Sequence, residues 1–162
     1  MPDQAIITAL QNQAEHERFA SASYLALSHW CEAGSFSGFA EFFRKQAAEE
    51  AEHAGKFHDH LVDRCVTPVL SALPAPKQDF TDLISVARHA CELEKQNTRG
   101  IHGCYETALE IRDYPSKVLL HWFISEQVEE EAWTDKLLTL TQRATCAGAL
   151  ANLDRHIIKE LA

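Results

Sequence analysis

The chain has 162 residues, enough for one domain with a sizeable core and too few for two comfortable ones. Its 24 acidic and 15 basic side chains give a formal net charge of -9, which argues against a nucleic-acid backbone as the main partner and is compatible with cation binding. Glycine and proline are few, and the abundance of Ala, Leu, Glu and Gln favours helices.

The sequence indicates a protein that is neither secreted nor embedded in a membrane. No apolar run approaches the length of a membrane span, and the opening Met1-Pro2-Asp3 lacks the basic and apolar regions of a signal peptide. The five cysteines form no Cys-x-x-Cys pair, and an odd number scattered along helical stretches is not a disulfide framework. We therefore expect free thiols in a soluble protein of the reducing cytoplasm, bound to neither membrane nor nucleic acid.

The first helix is predicted to begin after Asp3, a suitable N-cap, and to end near Ala33-Gly34. Its inward positions, three and four residues apart, are Leu10, Gln13, Glu17, Ala20, Tyr24, Leu27 and Cys31. Glu17 interrupts this apolar stripe, and a carboxylate in a bundle core is costly unless something pairs with it. Tyr24 lies two turns further on and is expected to hydrogen-bond a core carboxylate, with electron donation to a metal site as a compatible second role.

A turn at Ser35-Phe36-Ser37-Gly38 precedes a second helix that extends to about Arg64. Its inward positions are Phe39, Phe43, Gln46, Glu50, His53, Phe57 and Leu61. Glu50 and His53 lie one turn apart on the same face, so both can reach one transition-metal ion, or one ion of a pair. A Glu-x-x-His pair is weak by itself because it arises often by chance on solvated helix faces.

The segment Cys65 to Asp79 contains Pro68, Pro74 and Pro76 and is predicted to be a loop. Fully extended it would span roughly 50 Å, at about 3.3 Å per residue, whereas a helix of about 27 residues is roughly 40 Å long. The loop can therefore run the whole length of a bundle, which makes the second and third helices parallel. Short turns elsewhere keep the other neighbours antiparallel.

The third helix is predicted from about Thr81 to Arg112, and the fourth from Asp113-Tyr114-Pro115 to about Arg143. The inward positions of the third are Leu83, Ala87, Ala90, Glu94, Asn97, Ile101, Cys104 and Ala108. Those of the fourth are Leu120, Phe123, Gln127, Glu130, Thr134 and Leu137. A short fifth helix, about Ala149 to Leu161, has an apolar stripe that we expect to be covered by something outside its own bundle.

Six polar residues at inward positions fall near the midpoints of their helices, so in a bundle of nearly equal helices they meet at one level. They are Glu17, Glu50, His53, Glu94, Gln127 and Glu130. Four carboxylates buried together are untenable without partners, and two cations bridged by Glu50 would neutralise them. Carboxylate-rich sites with one imidazole suit iron or manganese better than zinc. The alternative is that Glu17 or Glu94 points to solvent, which for all four helices together requires four coincidences.

Three further glutamates flank this level, namely Glu49, Glu126 and Glu129. Solvated charge is the usual explanation of such residues. The density of carboxylates between Glu126 and Glu131 also makes a secondary cation site beside the core pair reasonable. The remaining histidines show no convergent spacing, so we expect them at the surface or in packing rather than as ligands.

With these residues in view, the chain resembles a bacterial non-haem ferritin over essentially its whole length. The motifs that carry the resemblance are Glu17 with Tyr24, Ala48-Glu49-Glu50-Ala51-Glu52-His53, Glu94, Asp113-Tyr114-Pro115, and Ser125-Glu126-Gln127-Val128-Glu129-Glu130-Glu131. The resemblance implies an all-α fold over a single domain, residues 1–162. That fold is a ferritin-like four-helix bundle with one long crossover loop and a short fifth C-terminal helix.

The resemblance further implies a ferroxidase that oxidises Fe(II) with O2 or H2O2 and stores Fe(III) oxide mineral in a cage of 24 subunits. The first iron would be held by Glu17, Glu50 and His53. The second would be held by Glu50, Glu94 and Glu130, with Gln127 hydrogen-bonding nearby. A third iron would draw on Glu49, Glu126, Glu129 and Glu130. The fifth helix would line four-fold axes of the cage.

Related families differ from this chain at specific residues. Haem-binding bacterioferritins use a methionine of the second helix as axial ligand, but Met1 is the only methionine here and Glu52 occupies that region, so no haem is expected. They and the oxygen-activating di-iron enzymes carry a second Glu-x-x-His, whereas this chain has Gln127 and Glu130. Mini-ferritins place their ligands between subunits and lack the fifth helix. Two functional classes stay open: an iron-oxidising storage enzyme, and a cage or bundle that binds metal without useful turnover.

Overall fold

The computed structural model of the protein describes residues 1–162, which form five α-helices and no β-strand. The helices are α1 (Gln4–Ala33), α2 (Ser37–Asp63), α3 (Leu83–Glu110), α4 (Tyr114–Arg143) and α5 (Ala147–Leu161). The four long helices make the bundle, and the predicted all-α fold is confirmed. None of the five is both long enough and apolar enough to cross a membrane.

Local hydrogen bonds at the helix ends explain where the predicted boundaries were wrong. α3 begins at Leu83 rather than Thr81 because Asp82 and Ser85 form a capping box, in which each side chain bonds the other residue's backbone amide. It ends at Glu110 rather than Arg112 because Arg112 adopts a left-handed conformation, with φ of 59°.

Two other boundaries also differ from the prediction by two residues. The turn between α1 and α2 is shorter than expected, since α2 already begins at Ser37 and only Gly34 to Phe36 remain outside helices. Ser35 makes this tight turn with φ of 63°. α5 begins at Ala147, not near Ala149, after an extended Cys146.

The crossover segment, residues 64–82, contains no helix and runs along the outer side of α1. The Gln11 side-chain amide donates to the carbonyl of Val69, and the Arg18 guanidinium donates to the carbonyl of Ser71 at 3.1 Å. Near the other end of α1, Trp30 packs edge-on against Phe80, with ring centroids 6.2 Å apart. The segment therefore spans the length of the bundle, and α2 and α3 are parallel as predicted.

The apolar core is divided into two clusters, one at each end of the bundle. One cluster contains Phe39, Phe43 and Leu137 and lies at the α5 end, and the other contains Phe57 and Phe123. The rings of Phe57 and Phe123 stack with centroids 4.1 Å apart. All inward positions predicted for α1 to α4 are buried. Between the clusters lies the level at which the inward positions are polar.

The apolar stripe of α5 packs on its own bundle, so the expectation that it needs outside cover was wrong. Leu153 and Ile157 are buried in the same cluster as Phe39. Gly38 allows this approach, because a Cβ atom there would lie 1.8 Å from the carbonyl oxygen of Asp154. The Asp154 carboxylate also accepts a hydrogen bond from the Phe39 amide at 2.9 Å, which satisfies a free donor in the first turn of α2.

Candidate metal centre

The polar level holds six side chains that four helices direct into the bundle. They are Glu17 of α1, Glu50 and His53 of α2, Glu94 of α3, and Gln127 and Glu130 of α4. Each is at most 5% exposed, although carboxylates are rarely buried to this extent. The alternative that Glu17 or Glu94 points to solvent is therefore wrong.

Five of these side chains form two groups that share Glu50. Glu17, Glu50 and His53 bring one ligand atom each within 4.8 Å of one another, and so do Glu50, Glu94 and Glu130. The His53 Nδ1 atom lies 3.4 Å from an oxygen of Glu50 and 3.9 Å from an oxygen of Glu17. Two overlapping groups of this size suit a pair of cations with Glu50 as the bridging ligand.

Several oxygens in the centre have no hydrogen-bond partner. These are both carboxylate oxygens of Glu50 and the Oε2 atom of Glu17, and all three are inaccessible to solvent. An unsatisfied buried oxygen carries its full desolvation cost, which is larger for a charged group. Cations bound here would supply the missing partners, so these residues fit a metal pair.

Burial raises the pKa of every carboxyl in the centre, and repulsion between carboxylates raises the pKa further for Glu17, Glu50 and Glu130. Burial is the main cause of the pKa of Glu50 rising well above its usual value, followed by the charge of Glu94. The pKa of Glu17 rises well above its usual value through burial and then the charge of Glu50. Burial and the Glu94 charge raise the pKa of Glu130 to about 9. Metal binding would therefore displace protons from the centre.

Hydrogen-bond donors around the centre orient individual carboxylates. Glu94 receives the Tyr24 hydroxyl, and it receives the Gln127 amide at 3.3 Å on Oε2. These bonds oppose the burial effect that raises the pKa of Glu94. Tyr24 thus bonds a core carboxylate, as the sequence predicted. On the opposite side, the Gln13 amide donates to Glu17 Oε1 at 2.8 Å.

Two residues beside the centre were missed from the sequence. The Trp133 indole donates to Glu130, three residues before it on α4. The Thr98 hydroxyl accepts from the Gln127 amide at 3.1 Å and donates to Glu131 at 2.6 Å. Neither lies on a predicted inward stripe. For Trp133, the three-residue spacing from Glu130 was the available signal.

The three flanking glutamates are placed unequally. Glu126 is half-buried and forms a third ligand group with His53 and Glu130, again within 4.8 Å. Glu49 is exposed, and its charge contributes to the raised pKa of Glu130. Glu129 is exposed and belongs to none of the three groups. A secondary cation position would therefore centre on Glu126.

The fold and the centre together define a class. A four-helix bundle with one long crossover and a carboxylate–histidine centre between its helices is typical of ferritin-like proteins. A comparison with family models agrees, since the Ferritin-like domain matches residues 7–144. The chain belongs to the ferritin-like family.

Comparisons with relatives and with solved structures agree with this family assignment. The chain is 37% identical to the bacterial non-heme ferritin of Staphylococcus aureus strain MRSA252 and 35% identical to that of Staphylococcus haemolyticus. Both matches cover 78% of this chain and 76% of the relative. An open pore ferritin from the archaeon Archaeoglobus fulgidus superposes with a TM-score of 0.94 at 26% identity, covering 97% of this chain and 98% of that one. An engineered closed form of that ferritin superposes with a TM-score of 0.94 at 27% identity, covering 97% of this chain and 96% of that one.

Proposed function

We propose that the protein is an iron-storage ferroxidase, which oxidises Fe(II) with O2 or H2O2 at an intra-subunit di-iron centre. The observation that carries the proposal is the position of Glu50. Its two buried oxygens have no partner in the protein, and it belongs to both ligand groups of the core. The names of the similar proteins, which are non-heme ferritins, support iron as the metal.

In this proposal the residues of the chain bind and orient the Fe(II) substrate. Glu17, Glu50 and His53 hold one ion, and Glu50, Glu94 and Glu130 hold the other. Gln127 keeps Glu94 in place, since it donates to that residue's carboxylate and to its backbone carbonyl at 3.2 Å. Two Fe(II) ions give up one electron each, which together reduce O2 to H2O2 or H2O2 to water.

Other side chains take supporting roles in the same reaction. Tyr24, hydrogen-bonded to Glu94 between the helices, is the residue that we propose as an electron donor to the pair. The carboxyl groups release their protons as Fe(II) binds, because burial and repulsion had raised their pKa values.

The assembly we propose is a closed cage of 24 subunits that encloses the Fe(III) oxide mineral. Its support is membership of the ferritin-like family, since the stripe of α5 is already covered within the chain. Size-exclusion chromatography with light scattering tests it, and a monomer at 18.2 kDa would refute the cage. We place the protein in the cytoplasm, for which the five free cysteines are the support.

Aerobic addition of Fe(II) to the metal-free protein tests the proposed activity. The ultraviolet absorbance of Fe(III) oxo species should rise rapidly for the first two Fe(II) per chain and more slowly afterwards. Buffer without protein gives the background of spontaneous oxidation. Tight Fe(II) binding with oxidation no faster than this background would leave a metal-binding protein without turnover and contradict the proposal.

A third, weaker iron site is proposed at Glu49, Glu126, Glu129 and Glu130, supported by the group that Glu126 forms with His53 and Glu130. Replacing Glu49, Glu126 and Glu129 together by alanine is expected to spare the rapid oxidation of the first two Fe(II) ions. The slower phase, or the ratio of iron oxidised to oxygen consumed, should change, because iron leaves the core pair through this site. Stopped-flow absorbance and an oxygen electrode measure the two quantities.

A variant that loses the same charge elsewhere controls for net charge. Exposed glutamates suitable for this control are Glu32, Glu41 and Glu106. If both triple variants match wild type in both phases and bind as much iron, the flanking glutamates are only surface charge.

A further inference from the structure

α1 and α3 contact each other where the side chain of Gln13 lies against Gly100. A Cβ atom at Gly100 would be 2.0 Å from the Gln13 Oε1 atom and 3.0 Å from its Cδ atom. Gly100 has no positive φ, so its backbone conformation is open to any residue. Glycine in a helix interior is less stable than alanine. Space for the Gln13 amide is therefore the reason that this position needs glycine.

The amide that occupies this space determines how Glu17 is presented to the centre. Gln13 is 3% exposed, and its Nε2 atom donates to Glu17 Oε1 at 2.8 Å. The other oxygen, Oε2, is the one that faces His53 and has no partner. The hydrogen bond thus fixes which oxygen of Glu17 is left free for a metal ion.

Glu17 depends on this bond more than Glu94, on the other side of the centre, depends on any single donor. Glu94 accepts hydrogen bonds from Tyr24 and Gln127, so the loss of one leaves the other. Glu17 accepts only the bond from Gln13. Without it, the carboxylate would be free to rotate between its side-chain conformations.

The side chain of Gln13 borders a space that could accommodate it in another conformation. A surface groove of about 320 Å³ between α1 and α3 is lined by polar side chains that include Gln13 itself, Asn12 and Gln96. A methyl group at Gly100 would push the flexible amide toward this groove rather than separate the helices. The chain should then fold but lose the Gln13–Glu17 hydrogen bond.

We propose that Gln13 is a positioning residue for Glu17 and that Gly100 makes room for its amide, so that this contact between α1 and α3 sets the metal affinity of one half of the centre. The inference rests on the proposed function for its assignment of the metal pair. The half concerned is the group of Glu17, Glu50 and His53. The half formed with Glu94 and Glu130 has its own donors and should be unaffected.

The test compares the same substitution at two glycines of α3. Gly103→Ala is the matched control, because no atom lies within 4 Å of a Cβ placed there. Co(II) is titrated calorimetrically into each metal-free variant, with circular dichroism to verify folding. We expect Gly103→Ala to bind two Co(II) ions per chain as wild type does. Gly100→Ala should bind one of the two about tenfold more weakly, as is typical when a partner of a metal ligand is lost.

A double-mutant cycle shows whether Gly100 acts through Gln13. Gln13→Ala should weaken the same Co(II) site about tenfold, and adding Gly100→Ala to it should cause no further loss. A further loss in the double variant would overturn the inference, because Gly100 would then act through the backbone. If Gly100→Ala does not fold, Gln13→Ala alone still decides the role of the amide.

Failure of this inference differs from failure of the proposed function. If Gln13→Ala binds both Co(II) ions as tightly as wild type, Gln13 is not a positioning residue, and Fe(II) oxidation by the wild type is unaffected by that result. If the wild type binds two Co(II) ions but does not oxidise Fe(II), the ferroxidase proposal fails while the Co(II) affinities still report on Gln13.

Discussion

Glu50→Ala is expected to abolish the rapid oxidation of Fe(II) while the protein stays folded. Glu50 is the one carboxylate common to both core ligand groups, so its loss removes a ligand from both ions. Losing a mere partner of a metal ligand costs about 10- to 100-fold in affinity or activity, and we expect a fall of more than about 100-fold in the initial rate here. The helix should persist, because alanine favours helices and the substitution removes two buried oxygens that have no hydrogen-bond partner.

Initial rates of Fe(III) absorbance, measured with excess O2, give the comparison. Glu52→Ala is the matched control, because Glu52 is exposed on the same helix two residues away and belongs to neither core group. We also expect a near-complete loss for His53→Ala, the variant that removes the only imidazole of the core pair. A Glu50→Ala protein that oxidises Fe(II) at the wild-type rate would disprove the proposed centre.

The metal-free protein is expected to become less stable as the pH rises above about 4.5, and Glu130→Gln should relieve part of this loss. The folded pKa of Glu130 is about 9, against an ordinary value of 4.5. Between these values the folded chain holds a proton that the unfolded chain has released, so folding is disfavoured as the pH increases. This loss of stability is absent when the pH is below the ordinary pKa of 4.5. At about 1.4 kcal/mol per pKa unit, it amounts to a few kcal/mol at pH 8.

Thermal unfolding of the chelator-treated protein between pH 5 and pH 9 measures this effect. The melting temperature of Glu130→Gln should exceed that of wild type by an amount that widens with pH, since a glutamine has no proton to lose. Glu106→Gln changes an exposed position of α3, so its melting temperature should depend on pH in the same way as that of wild type. Added divalent metal should raise the melting temperature of the wild-type protein most at high pH, because the metal ions take the place of the protons that the carboxyl groups have lost. Parallel curves for Glu130→Gln and wild type would contradict the expected coupling.

The sequence was sufficient to predict the four-helix bundle and the inward residues of the candidate metal centre. Apolar residues recur with helical spacing in α1 to α4 and are interrupted only near the midpoints, so the polar interruptions could be aligned without knowing any contact. Glu17 and Glu94 were placed in this way, and both are buried. The length of the proline-containing segment was enough to establish that α2 and α3 are parallel.

Features that depend on packing between distant elements could not be predicted. The covering of α5 depends on the absence of a side chain at Gly38, and nothing near Gly38 in the sequence identifies Asp154 as its neighbour. Trp133 lies off the inward stripe, so its bond to Glu130 depends on the conformation of a side chain rather than on helical phase. From the sequence, Gly100 is only an unfavourable residue in a helix interior, and its contact with Gln13 is known only from the structure.

The docking of α5 also affects the order in which the protein can complete its folding. The hydrogen bond between the Phe39 amide and Asp154 joins residues 115 positions apart. Because translation proceeds from the amino end, α2 lacks this acceptor until Asp154 has emerged from the ribosome. During that interval Leu153 and Ile157 cannot cover the aromatic end of the bundle. An interrupted chain therefore exposes an apolar surface that the finished chain hides, which gives chaperones and proteases a means to distinguish the two.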